Sequence, residues 1–226
     1  MQVYNHMEIL KDGQVLEVSA TDPGFVYDIK SWSQKTGNTL VRTEKRENEF
    51  VAFIKKGQTS SASNSVLANK NDGNTMVIFS GDLDKAIASF IIANGAASMG
   101  KEVTMFFTFW GLNVLRKSEK VSVKKGFMDK MFGIMMPKGS KKLQLSKMNM
   151  AGMGAKMIRK VMKDKNVNSL EELIQMAQSS GVRIVACTMS MDVMGIKKEE
   201  LIDGVEYGGV ASYLGAAEEA NVNLFI

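Results

Sequence analysis

The chain has 226 residues, 45% hydrophobic and 23% charged, with a formal net charge of +5 at pH 7. That is ordinary globular composition, long enough for one large domain or two small ones. Its single cysteine, Cys187, excludes an internal disulfide scaffold and suits a reducing compartment, so a cytoplasmic protein without a secretory leader is expected.

Residues 15–20, Val-Leu-Glu-Val-Ser-Ala, alternate as a half-buried strand. In Asp22-Pro-Gly24 the aspartate can cap a helix and the proline can open it. That helix presents Phe25, Ile29 and Trp32 on one face and stops at Gly37-Asn38. Strands over 39–43 and 49–54 flank the charged turn Glu44-Lys-Arg-Glu-Asn48. Residues 57–74, small, polar and without hydrophobic period, read as a flexible linker.

Beyond the linker, strands and helices alternate. The apolar run 76–79 ends at a strand-to-helix turn, Ser80-Gly81-Asp82. A helix then carries Leu83, Ile87 and Phe90–Ile92 and loosens at Gly95 and Gly100. Residues 103–109 read as a second buried strand and 112–115 as a short helix. Lys101 and Glu102 divide this apolar region into pieces shorter than the roughly 20 residues of a spanning helix. Peripheral membrane contact is its secondary reading.

Residues 116–147 hold ten Lys/Arg and two acids, Glu119 and Asp129. With no RNA-reading signature or interleaved aromatics, this predicts a solvated, mobile loop and no nucleic-acid partner. Helices are expected over 149–162 and 170–177, the second opened by the capping box Ser169/Glu172. A third strand over 182–187 ends at Cys187, and a helix over 210–220 and a strand over 222–226 close the chain. The expected fold class is α/β, a small two-layer N-terminal remnant followed by a flavodoxin-like parallel sheet with helices on both faces.

Two segments resemble known families. Leu16-Glu-Val-Ser-Ala-Thr-Asp-Pro-Gly-Phe25, with Asp28-Ile29, Trp32 and Thr36-Gly-Asn38, is similar to the small sulfur carriers of the TusA (SirA-like) family. In that family the sulfur-carrying cysteine sits in a Cys-Pro-Gly-Pro element opening the first helix, after a first strand. Residues 1–56 contain neither, and 1–10 match the tail of that helix. The segment is therefore expected to be an N-terminally incomplete module, a fragment of a longer fusion or a relic, without a carrier role of its own.

Residues 75–226 resemble the DsrE/DsrF-like family, in its peroxiredoxin-like branch. The resemblance rests on Thr75-Met-Val-Ile-Phe-Ser-Gly-Asp82, Phe107-Thr-Phe-Trp-Gly-Leu112, Ala186-Cys-Thr-Met-Ser-Met-Asp-Val-Met-Gly195 and Glu206-Tyr-Gly-Gly-Val-Ala-Ser-Tyr213. It implies a sulfurtransferase that passes sulfane sulfur through a persulfide on Cys187. It also implies a homo-oligomer, and partners among TusA-like or rhodanese-like carriers and small persulfides.

The residues fit that chemistry. Sulfur exchange needs an accessible thiolate, and a helix starting after Cys187 would favour the anion with its N-terminal amides. His6, the lone histidine, lies in the other segment, which weakens any Cys-His reading. Asp192 is too close in sequence for spacing alone to make it a base. Of 18 methionines, nine fall between Met128 and Met162, a candidate oligomer or carrier-docking surface, while Met189, Met191 and Met194 follow the thiol.

Thioethers beside a thiolate suit Cu(I), but no second cysteine or histidine joins them, so no metal is expected. Gly152-Met-Gly154 and Gly208-Gly209 form no phosphate-binding fingerprint, so no cofactor is expected either. The candidate site is Cys187 as carrier, with Gly81, Trp110, Thr188, Met189, Met191 and Met194 lining a pocket. The rival reading is a non-catalytic adaptor that docks sulfur carriers, with Cys187 structural.

Overall fold

The computed structural model describes residues 2–21, 24–57, 73–119 and 121–226. They cluster into two compact units, one formed by residues 1–71 with Gly208–Glu219 and the other by Asp72–Tyr207 with Ala220–Ile226. The predicted linker falls almost wholly outside the described residues, as do the predicted capping pair Asp22 and Pro23.

The first unit begins with helix α1 (Gln2–Ile9), strand β1 (Val15–Ala20) and helix α2 (Phe25–Lys35). Strands β2 (Thr39–Arg46) and β3 (Glu49–Lys55) follow and complete an antiparallel sheet of order β1-β3-β2. The alternation read in residues 15–20 is the observed burial pattern of β1. Because β3 is the middle strand, Ala52 and Ile54 are fully buried, and they join Met7 and Ile29 in a core that Phe25 and Trp32 cover. This is the expected two-layer arrangement. Gly37, at φ +70°, ends α2 in a left-handed turn. The β2–β3 turn is tighter than predicted, closing over Glu47-Asn48 with Glu47 at φ +44°.

In the second unit the chain runs through strands β4 (Gly73–Ile78), β5 (Val103–Phe107), β6 (Arg183–Cys187), β7 (Glu206–Gly208) and β8 (Ala220–Phe225). They form one five-stranded sheet of order β7-β6-β5-β4-β8, in which the β4–β5, β4–β8 and β5–β6 pairs are parallel. Strand order therefore steps outward from β4 to β7 and then reverses, with β8 added on the far side of β4. Burial of every residue of β5 follows from its central position. Helices α3 (Leu83–Ser98) and α6 (Leu170–Ser179) pack together, and both contribute to the buried core of the sheet. The expected class, a parallel sheet flanked by helices, is the one observed.

Several local expectations are corrected. Strand β4 starts at Gly73, inside the stretch read as linker, because pairing with both β5 and β8 overrides the weak strand preference of Gly and Asn. Strand β5 ends at Phe107, where Phe109 at φ +44° starts a 3₁₀ turn (Phe109–Leu115) instead of a short helix. Helix α3 runs through Gly95 and stops before Gly100.

The basic segment is not a bare loop, since it contains helix α4 (Phe127–Met135) and a 3₁₀ turn (Ser140–Lys142). Helix α5 (Met153–Asp164) starts later than read, because Ala151 and Gly152 hold positive φ. The capping box of α6 is present, with Ser169 Oγ accepting from the Glu172 N–H and Glu172 Oε2 accepting from the Ser169 N–H at 2.7 Å. Helix α7 (Thr188–Val193) follows β6, and helix α8 (Val210–Glu218), which belongs to the first unit, precedes the terminal strand β8.

Candidate functional site

Cys187 is the last residue of β6 and the residue from which α7 starts. Strand β6 lies between β5 and β7, so its apolar run is covered and Cys187 is 1% exposed.

Thr188 is buried, Met191 and Met194 pack into the main core, and Met189 is 39% exposed. Ser190 is fully buried and shares a 2.7 Å hydrogen bond with Thr108 Oγ1, which ties α7 to the segment leaving β5. Asp192 is on the exposed side of α7. The thiol therefore stands closed to solvent at the strand end, and the helix that follows it sends Met191 and Met194 into the main core. Reaction at Sγ requires this cover to open.

Gly81 and Trp110 lie elsewhere on the same unit. They line a cleft of about 840 Å³ with Phe79, Ser80, Asp82, Lys85, Asn113, Ser118, Lys138 and Lys142, among others. Cys187, Thr188, Met189, Met191 and Met194 are not among its walls. The cleft sits beyond the carboxyl end of β4, next to the point where strand order reverses, the crevice in which open α/β sheets bind ligands.

Its floor is built by close backbone approach. A Cβ on Gly111 would lie 2.0 Å from the Ile78 carbonyl oxygen, and one on Gly81 would lie 2.8 Å from that of Trp110. Asp82 bonds Ser80 Oγ at 2.9 Å and pairs with Lys85 at 2.9 Å, and the hydrogen bond to Asp82 raises the Lys85 pKa. The polar walls went unread in the sequence, although the turn Ser80-Gly81-Asp82 at the end of the first parallel strand was their signal.

A buried ionic cluster ties the basic segment to this unit. Arg116, with its side chain 1% exposed, donates to Glu200 Oε1 at 3.1 Å, Lys125 Nζ pairs with Glu200 Oε2, and the Lys197 N–H donates to the same oxygen at 2.9 Å. Burial alone would raise the Glu200 pKa. The hydrogen bonds from Lys125 and Lys197, with the charges of Lys125 and Arg116, hold it below the ordinary carboxylate value.

A parallel α/β layer with a lone thiol at the carboxyl end of a buried strand, preceded by a small antiparallel α/β unit, defines a two-module protein. The chain belongs to the DsrE/DsrF/DrsH-like family, whose model matches residues 70–225, and residues 1–56 match the model described as Sulfurtransferase TusA. It is 62% identical over 152 residues to the protein named YrkE of Bacillus subtilis (strain 168), covering 67% of this chain and 95% of that one. It is 40% identical over 150 residues to sulfur carrier protein DsrE2 of Allochromatium vinosum, covering 65% and 92%. The chain is also 40% identical over 50 residues to sulfur carrier protein TusA of the same organism, covering 22% of this chain and 66% of that one.

Proposed function

We propose that this protein is a sulfur-relay protein that carries sulfane sulfur as a persulfide on Cys187 and passes it to another carrier or thiol. The observation that carries the reading is the position of the single thiol, at the carboxyl end of β6 and the start of α7, in a chain whose relatives include a named sulfur carrier.

In the loading step the Cys187 thiolate attacks the outer sulfur of a donor persulfide. A new S–S bond forms on Cys187, the donor S–S bond breaks, and the donor departs as its thiolate. Discharge runs the same exchange in reverse on an acceptor thiol, so no external oxidant or reductant is consumed. With one cysteine in the chain, no resolving thiol can close a disulfide on the loaded sulfur, and the relay continues on another molecule. We place the protein in the cytoplasm, where thiols stay reduced. TusA-like and rhodanese-like proteins and small persulfides are its proposed exchange partners, and a homo-oligomer is its proposed assembly.

The 1% exposure of Cys187 favours a second reading, an adaptor that docks sulfur carriers while its cysteine only fills the core. Incubating the reduced protein with a small persulfide, followed by intact-mass measurement and peptide mapping, separates the two. Gain of one sulfur on the Cys187 peptide, absent in Cys187→Ser, supports the relay. A native thiol that neither gains sulfur nor reacts with an alkylating agent leaves the adaptor.

A further inference from the structure

Helix α4 turns its apolar side outward. At about 100° per residue, Ile134, Phe127, Met131, Met135, Met128 and Phe132 fall on one continuous arc of about 160°. All six are exposed, Phe127 at 82%, Ile134 at 81% and Met135 at 74%. The opposite side holds the only buried residue of the helix, Gly133, and Asp129, which packs against Gly195. Amphipathic helices of folded domains place these faces the other way round. A contiguous exposed apolar stripe of this kind marks a surface that something covers.

The charge around the stripe identifies the cover. Of the basic residues described between 116 and 147, Arg116, Lys117 and Lys125 are committed to Glu200 and Asp203. Lys124, Lys130, Lys138, Lys141, Lys142 and Lys147 make no ion pair among the described residues. A two-fold pairing of this face with a second copy would set the same lysines against each other. Phe and Met of the stripe suit a protein interface as well as a bilayer, but protein interfaces are poor in lysine and every uncommitted cation here is a lysine. An apolar stripe with Lys130 on the same helix and Lys138 and Lys142 beside Ile134 and Met135 is the composition of helices that lie in the plane of an anionic bilayer.

From this we infer that α4 and its lysine rim dock the second unit on an anionic lipid surface. The apolar arc enters the boundary between headgroups and acyl chains, and the lysines meet the lipid phosphates. Among the described residues no helix is long and apolar enough to cross a membrane, so the contact is peripheral. It is independent of the chemistry at Cys187.

Co-sedimentation of the full chain with vesicles tests it. Binding to phosphatidylcholine vesicles containing phosphatidylglycerol, weakened by high salt and absent with phosphatidylcholine alone, is the expected result. The Phe127→Ser/Ile134→Ser/Met135→Ser variant and, separately, the Lys138→Gln/Lys141→Gln/Lys142→Gln variant are each expected to lose about tenfold or more in partitioning. A second reporter, Ile134→Trp, is expected to shift its emission to the blue on anionic vesicles only. No sedimentation with anionic vesicles, equal binding to neutral ones, or triple-serine binding unchanged from the parent overturns the proposal. So does vesicle-independent self-association that the triple-serine variant abolishes, which would assign the face to a second copy.

Discussion

Replacing Glu200 by glutamine tests how the basic segment is anchored. The carboxylate accepts from Arg116 at 3.1 Å and from the Lys197 N–H at 2.9 Å, and it pairs with Lys125. Arg116 has 1% of its side chain exposed and Lys125 has 6%, so neither guanidinium nor ammonium can turn to water when the charge is removed. Breaking one side of a buried pair costs about 3–5 kcal/mol. Glutamine keeps one acceptor oxygen for Arg116, which places the loss near the lower end, at about 3 kcal/mol. At about 2–4 °C per kcal/mol for a unit of this size, the melting temperature should fall by about 6–12 °C at neutral pH.

The pH dependence has a definite sign. Because the folded-state pKa of Glu200 lies below its ordinary value of 4.5, its stabilisation is complete above that value. It is lost as pH falls through the lower folded pKa. Calorimetric melts of parent and variant from neutral to acid pH read both effects, with the gap closing only on the acid side. A gap under about 2 °C at neutral pH, or one that widens in acid, refutes this account of the cluster.

Glycine substitutions should split sharply by location. Gly111→Ala drives a Cβ to 2.0 Å from the Ile78 carbonyl and should abolish recovery of folded protein, whereas Gly95→Ala, in mid-helix with nothing within 4 Å, should stabilise by about 0.5–1 kcal/mol in denaturant titration. Ser169→Ala removes the α6 cap and should cost about 1 kcal/mol in the same assay. Met191→Ala empties core volume beneath α7, the helix that starts at Cys187. Native-state alkylation of Cys187 should then accelerate about tenfold for each 1.4 kcal/mol of easier opening, and an unchanged rate would mean that α7 does not control access.

Much of this architecture was legible before the structure. The period of residues 15–20, the apolar runs 76–79, 103–109 and 182–187, and the Ser169/Glu172 box each report a local rule that the fold obeys, with the first two strands ending one and two residues earlier than read. Helix α4 was hidden because its nine residues lie inside a lysine-rich stretch that reads as solvated. Its apolar arc and Pro137 just past its end were nevertheless there to be read. The three-residue β7 carries too little pattern to be seen alone.

At the candidate site, sequence placed Cys187 at a strand end but could not show that the thiol is closed to solvent or that Met191 and Met194 pack into the main core. It also could not show that Gly81 and Trp110 line a cleft that the thiol does not. Burial and shared walls depend on contacts between residues distant in sequence, and no single-chain periodicity encodes them.

Transfer of labelled sulfur tests the relay most directly. Cys187 is loaded from a labelled small persulfide, excess donor is removed, and a reduced thiol protein is added in stoichiometric amount. The account predicts that label leaves the Cys187 peptide and appears on the acceptor cysteine, with none carried by Cys187→Ser. Label that never enters Cys187, or that enters and cannot be discharged to any thiol, contradicts it.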